Sequence, residues 1–390
     1  MDEKMNGSQK GKGNQDLNID YFMEMASKKT NLSDWGEVDF KEPLEKLLHY
    51  FDEFYPTDKE KRYSFGYTII DILSKRLYIQ DNFKKNGAIL NTPIERPLFI
   101  TGLPRTGTTL IHNLISQDPS WRYLLYYELV YPFMRDDIPN FEAYTINLVE
   151  QGLKALYSIR PEFISRHETR ATGPEECFNL IKNTFYSIAW ANEWYLPGYL
   201  EWFLKQDMTA GYAYYKKLLQ LLMHRKGGKH LLLKCPAHLF NTDAISTVFP
   251  DSNIIWMHRD PCNSIGSGLS LLSVFHDISN GPDRFIDLYM EYFRQSLEKT
   301  MEIEQTRPSH IVSISYKKFV KGPVEVIREI YNKFGYTWDD SIETGIKKWL
   351  EENPQHKHGA HKYSLETFGL TQADLDKRFS KYYERYGNLL

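Results

Sequence analysis

Residues 98–110, Leu-Phe-Ile-Thr-Gly-Leu-Pro-Arg-Thr-Gly-Thr-Thr-Leu, decide the fold of this 390-residue chain. An apolar run of strand length enters a turn bounded by Gly102 and Gly107, and hydroxyl-bearing residues then open a helix. Strand, glycine turn and helix N-terminus together turn backbone N–H groups toward an anion, so the stretch reads as a phosphate cradle. Its spacing approaches the G-x-x-x-x-G-K-[ST] phosphate loop. Thr108 stands where that loop carries lysine, and the cation has moved inside the turn as Arg105. A kinase or ATPase sets its lysine against the β/γ-phosphates and a hydroxyl on magnesium. The loop here suits a phosphate-like group and makes no provision for a metal.

Two further apolar runs end in cations. Residues 230–238, His-Leu-Leu-Leu-Lys-Cys-Pro-Ala-His, predict a buried strand ending at Lys234, with His238 four residues beyond. Residues 252–261, Ser-Asn-Ile-Ile-Trp-Met-His-Arg-Asp-Pro, predict another. Arg259 stands at its end, where the ligands of an open parallel sheet collect. Ser267 follows eight residues later in a Ser/Gly-rich segment. The planar fork of Arg meets two phosphate oxygens at once. Taken alone, Arg259 also reads as half of a surface Arg–Asp pair, and its order after the first loop is what favours a phosphate.

At Pro104-Arg105-Thr106-Gly107-Thr108-Thr109 the chain resembles the sulfotransferases, whose loop P-[KR]-[ST]-G-T-[ST] it fits at every position. Among them it is similar to the microbial sulfotransferase family 3, over nearly everything from about residue 96 onward. The resemblance implies 3'-phosphoadenosine 5'-phosphosulfate (PAPS) as co-substrate. Arg105, Thr106, Gly107, Thr108 and Thr109 would hold its 5'-phosphosulfate, Arg259 and Ser267 its 3'-phosphate, and Lys234 the bridging oxygen or sulfonate. Leu110 replaces the tryptophan that stacks on adenine in cytosolic relatives, and Tyr316 is the candidate for that task. Residues 356–370 resemble the H-x-Y-S-L-x-x-F-G-L ending of family 3 and occupy the place of a nucleotide-covering basic loop, making Lys357, His361 and Lys362 candidates. Three close histidines there could suggest a metal site, but metal-binding loops usually supply Cys or carboxylates as well, and no metal is expected.

Sulfonate transfer is an in-line displacement, so positioned cations and N–H donors stabilise charge on the leaving oxygen. A base must take the acceptor's proton, and three candidates are ranked. Glu128 comes first; it lies 23 residues after Arg105 and resembles the glutamate base of the tyrosylprotein and heparan branches. His238 is second. His167 is third, in residues 165–177, Ser-Arg-His-Glu-Thr-Arg-Ala-Thr-Gly-Pro-Glu-Glu-Cys, similar to the family-3 segment H-x-x-x-A-x-x-P-E-E-C.

The expected fold is α/β: a P-loop-like parallel β-sheet covered by helices on both faces, with an N-terminal helical region. The expected boundaries are a disordered tail over 1–16, helices over 17–95 and the sulfotransferase domain over 96–390. Strands are predicted near 230–235, 253–258 and 310–316, and helices over 40–54 and 63–78. A hydrophobic content of 42% allows a large core, and a net charge of −3 argues against a general nucleic-acid binder. Three scattered cysteines make neither a disulfide framework nor a zinc site. With no run of 18 apolar residues and no apolar signal core at the start, a cytoplasmic protein is expected. The aromatic stretch 178–203 reads equally as helix core or as a pocket for a sterol, phenol or lipid alcohol. The competing classes are a nucleotide kinase and a non-catalytic nucleotide-binding protein.

Overall fold

The computed structural model describes residues 17–37, 39–161, 163–164, 167–273, 276, 283–353 and 365–390. The tail 1–16 and most of the histidine-bearing segment 356–370 lie outside them.

Five strands, β1 (Leu98–Gly102), β2 (Trp121–Tyr123), β3 (His230–Lys234), β4 (Asn253–His258) and β5 (Ile311–Ser315), form one sheet in the order β2-β3-β1-β4-β5. Every pair is parallel; Phe99 of β1 faces Leu233 on one side and Ile254 on the other. Parallel strands buried on both faces read as continuous apolar runs, which is why β1, β3 and β4 stood out. Short β2, with Arg122 at its centre, carries no such signal and was not foreseen.

Period-two alternation sorts these runs into two cores. Leu98, Ile100, Leu232, Ile255 and Met257 pack with Ile111 and Leu114 on one face, joined by Ile327, Ile330 and Phe334. Phe99, Leu231, Leu233, Ile254 and Trp256 face the larger core on the other. Helices α1 (Ile19–Thr30), α2 (Lys41–Phe54) and α3 (Lys59–Lys85) contribute Phe22, Leu44, Phe51, Phe65 and Ile69 to that larger core. Arg76 of α3 fastens them to the body. Its guanidinium lies between the rings of Phe40 and Tyr214, at 4.1 and 3.9 Å, and donates to the Asn183 carbonyl at 2.7 Å. The aromatic stretch forms three short helices, Phe178–Lys182, Ile188–Trp194 and Pro197–Phe203, and Phe185, Trp190, Tyr199 and Phe203 are buried core.

Candidate active site

The site is built from the C-terminal ends of four strands. After β1 the chain turns through 103–107 into α4 (Thr108–Ile115), with Arg105 at φ 65° and Gly107 at φ 89°. Gly107 has no alternative: a Cβ there would lie 2.9 Å from the Tyr316 ring. Buried Thr106 donates its hydroxyl to the Leu103 carbonyl at 2.8 Å and closes the turn from inside. Arg259, just past β4, donates to the Arg105 carbonyl at 2.8 Å, and its guanidinium lies 4.6 Å from the centre of the Tyr316 ring. Tyr316, just past β5, therefore braces both the loop and Arg259.

Lys234 ends β3 and is almost wholly buried. Its Nζ lies 2.9 Å from Glu176 Oε1, 3.9 Å from Glu175 Oε1 and 3.5 Å from Thr109 Oγ1. Burial alone would lower the lysine pKa, but the two carboxylates outweigh it and hold the pKa above its ordinary value, so the cation persists. Glu175 receives His167 Nε2 at 3.1 Å on each oxygen, the Thr169 hydroxyl at 3.0 Å and the Glu176 N–H at 2.7 Å. Burial works against a charged His167, yet the Glu175 carboxylate raises its pKa above the usual imidazole value. Burial likewise penalises the Glu175 anion, but His167 and Lys234 hold its pKa far below the ordinary range.

A cavity of about 490 Å³ opens on these groups. The loop lines it through Gly102–Arg105 and Gly107–Leu110, with Arg259, Tyr316, Asn113, Trp349 and Asn353. Phe178, Ile188, Leu239, Leu271, Tyr289 and Phe293 supply an apolar wall, and His167 and Glu176 also face it. Glu176 is tied through Lys234 to Thr109, so the apolar wall and the loop meet at this cluster.

The family model for the sulfotransferase family matches residues 97–340, from the first strand to past the fifth. The chain belongs to the sulfotransferase family. Its backbone superposes on sulfotransferase STF9 from Mycobacterium avium with a TM-score of 0.78 at 25% identity, over 96% of this chain and 98% of that one. Sulfotransferase STF1 from Mycobacterium tuberculosis H37Rv gives 0.78 at 24% identity, over 94% and 100%. The omega-hydroxy-beta-dihydromenaquinone-9 sulfotransferase Stf3, from Mycobacterium bovis and from M. tuberculosis, is 23% identical over 336 residues, covering 82% of this chain and 83% of that protein.

The structure brings Arg105, Gly107, Thr108, Thr109, Arg259, Tyr316 and His167 of this sulfotransferase to one cavity. Lys234 sits one contact behind it, and Ser267 lies on the helix Pro261–Leu272, whose Gly268 and Leu271 line the wall. Two of the three candidate bases are placed elsewhere. Glu128, on helix α5 (Tyr126–Val130), is buried against Arg122 at 2.7 Å, with Lys226 at 3.6 Å, and accepts the Leu125 N–H at 2.9 Å. His238 is fully buried with Nδ1 2.7 Å from the Tyr212 hydroxyl, and burial, then Lys234, pushes its pKa down to about 3. Lys357, His361 and Lys362 lie outside the described residues. Glu175 and Glu176 were missed as site residues although they sit in the segment read for His167. Trp349 and Tyr289 carried no sequence signal, because only the packing of distant helices brings them to the cavity; Asn113 was passed over although it lies on α4, the helix that the loop opens. Among the described residues no group of His, Cys, Asp or Glu is arranged to hold a metal ion, and no helix is long and apolar enough to cross a membrane.

Proposed function

We propose that this sulfotransferase moves sulfonate from PAPS to the hydroxyl of a hydrophobic small molecule such as a sterol, phenol or lipid alcohol. One observation carries the reading: a single cavity joins an anion-cradling loop to an aromatic wall, with Lys234, Glu176 and His167 where the two meet. The loop amides, Arg105 and Arg259 supply donors for the two anionic ends of the nucleotide, while Phe178, Leu239, Tyr289 and Phe293 suit an apolar body. The relative whose name specifies an omega-hydroxylated menaquinone supports an alcohol on a lipid chain.

In the reaction the acceptor oxygen forms a bond to sulfur as the bond from sulfur to the 5'-phosphate oxygen breaks. Arg105 and Lys234 offset the charge gathering on the leaving oxygen. Of the three candidate bases, His167 is the one that lines the cavity, and it takes the proton. Its Nε2–H is committed to Glu175, which leaves the Nδ1 lone pair as acceptor. The products are the sulfate ester and 3'-phosphoadenosine 5'-phosphate (PAP).

A panel of alcohols incubated with PAPS and followed by mass spectrometry tests this. Sulfate esters of apolar alcohols should form, and should form equally well in EDTA. Loss of turnover in EDTA, restored by magnesium, would overturn the metal-independent mechanism. Thermal stabilisation by ATP and none by PAP would overturn the choice of donor.

A further inference from the structure

We propose that Glu175 is the positioning residue for the base: it fixes the tautomer and orientation of His167 and is itself locked by Thr169. The inference rests on the assignment of His167 as base.

Glu175 is 8% exposed and uses both oxygens. His167 Nε2 is equidistant from them at 3.1 Å, the Thr169 hydroxyl holds Oε2 at 3.0 Å, and the Glu176 N–H holds Oε1 at 2.7 Å. Thr169 is pinned in turn: its N–H donates to the Tyr157 hydroxyl at 2.9 Å, and that hydroxyl donates to the Thr169 carbonyl at 2.8 Å. The carboxylate therefore has no room to swing. An ionised carboxylate only accepts, so the imidazole beside it must carry its proton on Nε2 and keep Nδ1 for the substrate.

The neighbouring carboxylate has a different partner. Glu176 faces the cavity and hydrogen-bonds Lys234 at 2.9 Å, whereas Glu175, 3.9 Å from the same Nζ, spends its hydrogen bonds on His167, Thr169 and the Glu176 N–H. The charges facing His167 are Glu175 and Glu176, which favour its protonation, and Lys234, which opposes it. His112 of α4 lies among the same groups; burial, then Lys234, drives its pKa to about 3, so it stays neutral and adds no charge.

Glu175→Gln keeps the shape, removes the charge and offers an amide that can stabilise the wrong tautomer. The variant should lose about tenfold or more in kcat, within the range that a positioned base contributes. PAP affinity should hold. The acid limb of its kcat profile should also move to lower pH, because the carboxylate that raised the His167 pKa is gone. Glu175→Asp keeps the charge and should leave that limb near its wild-type position. Glu176→Gln should move it less than Glu175→Gln does. If His167→Asn is inactive and the Glu175→Gln limb stays at the wild-type pH, Glu175 only holds the fold and the inference fails. If His167→Asn turns over normally, the assignment of the base itself is wrong. Thermal unfolding of each variant separates either result from a protein that has not folded.

Discussion

Arg259 links the loop to the pocket: one guanidinium N–H holds the Arg105 carbonyl, and the plane rests on Tyr316. Hydrogen bonds to charged groups are worth about 1.5–3 kcal/mol, so Arg259→Ala should weaken PAP binding by roughly 10- to 100-fold. Calorimetric titration checks this, with Ser267→Ala as the smaller loss. Adenosine 5'-phosphosulfate, which lacks the 3'-phosphate, should bind the wild type poorly; equal affinity for the two nucleotides would remove Arg259 from that phosphate. The turn itself was legible because it demands particular backbone: Gly107 cannot be replaced against Tyr316, and the order of the loop before Arg259 in the chain pointed to the one cavity they share. The direction in which Glu128 points was not legible. A distance of 23 residues from Arg105 to Glu128 says nothing about whether the carboxylate turns to a ligand or back to its own chain. Here the Leu125 N–H and Arg122 claim it.

At the scale of elements, Glu128 belongs to the start of α5, where it accepts a backbone N–H that the helix cannot satisfy itself. It also neutralises Arg122, with Lys226 close by. Breaking a buried pair by removing one charge costs about 3 kcal/mol or more. Glu128→Gln should therefore lower the urea midpoint clearly, while kcat of the folded enzyme stays near wild type. A collapse of kcat at unchanged stability would return Glu128 to the role of base. Four of the five strands were readable from their apolar runs, all but β2, and α2 and α3 from their 3.6-residue period, although α3 runs from Lys59 to Lys85, beyond the expected 63–78. In 178–203 the break before the third helix has a signal in Pro197-Gly198, but the break near Phe185 was not readable. The aromatic spacing fits one helix as well, and the turns at Phe185 and Tyr195 depend on positive φ at residues that seldom adopt it.

Across the whole molecule, three buried imidazoles set the response to acid. His112 of α4, His238 after β3 and His258 at the end of β4 all have their pKa pushed down to about 3, chiefly by burial. An unfolded histidine titrates near 6.5, so between that pH and about 3 the unfolded chain binds protons that the folded chain refuses. Their contribution is complete above pH 6.5 and drains away as the pH falls toward 3. Each proton is worth about 1.4 kcal/mol per pH unit, so three together approach 4 kcal/mol per unit. His167 acts only above pH 6.5: its raised pKa adds a stabilisation that is complete below the unfolded value and is lost as the pH rises, so it leaves the acid slope unchanged. The loss rivals the 5–15 kcal/mol that typical proteins possess within a few units. The melting temperature should therefore fall steeply from pH 6.5 to 4.5. His112 offers the sharpest check, because no side chain among the described residues hydrogen-bonds either ring nitrogen and only the Leu232 backbone comes near. His112→Leu removes a titrating group without orphaning another, so it should preserve stability at pH 7.5 and flatten the acid slope by about a third. A melting temperature that does not change between pH 7 and 5 would mean that these imidazoles take up protons in the folded state.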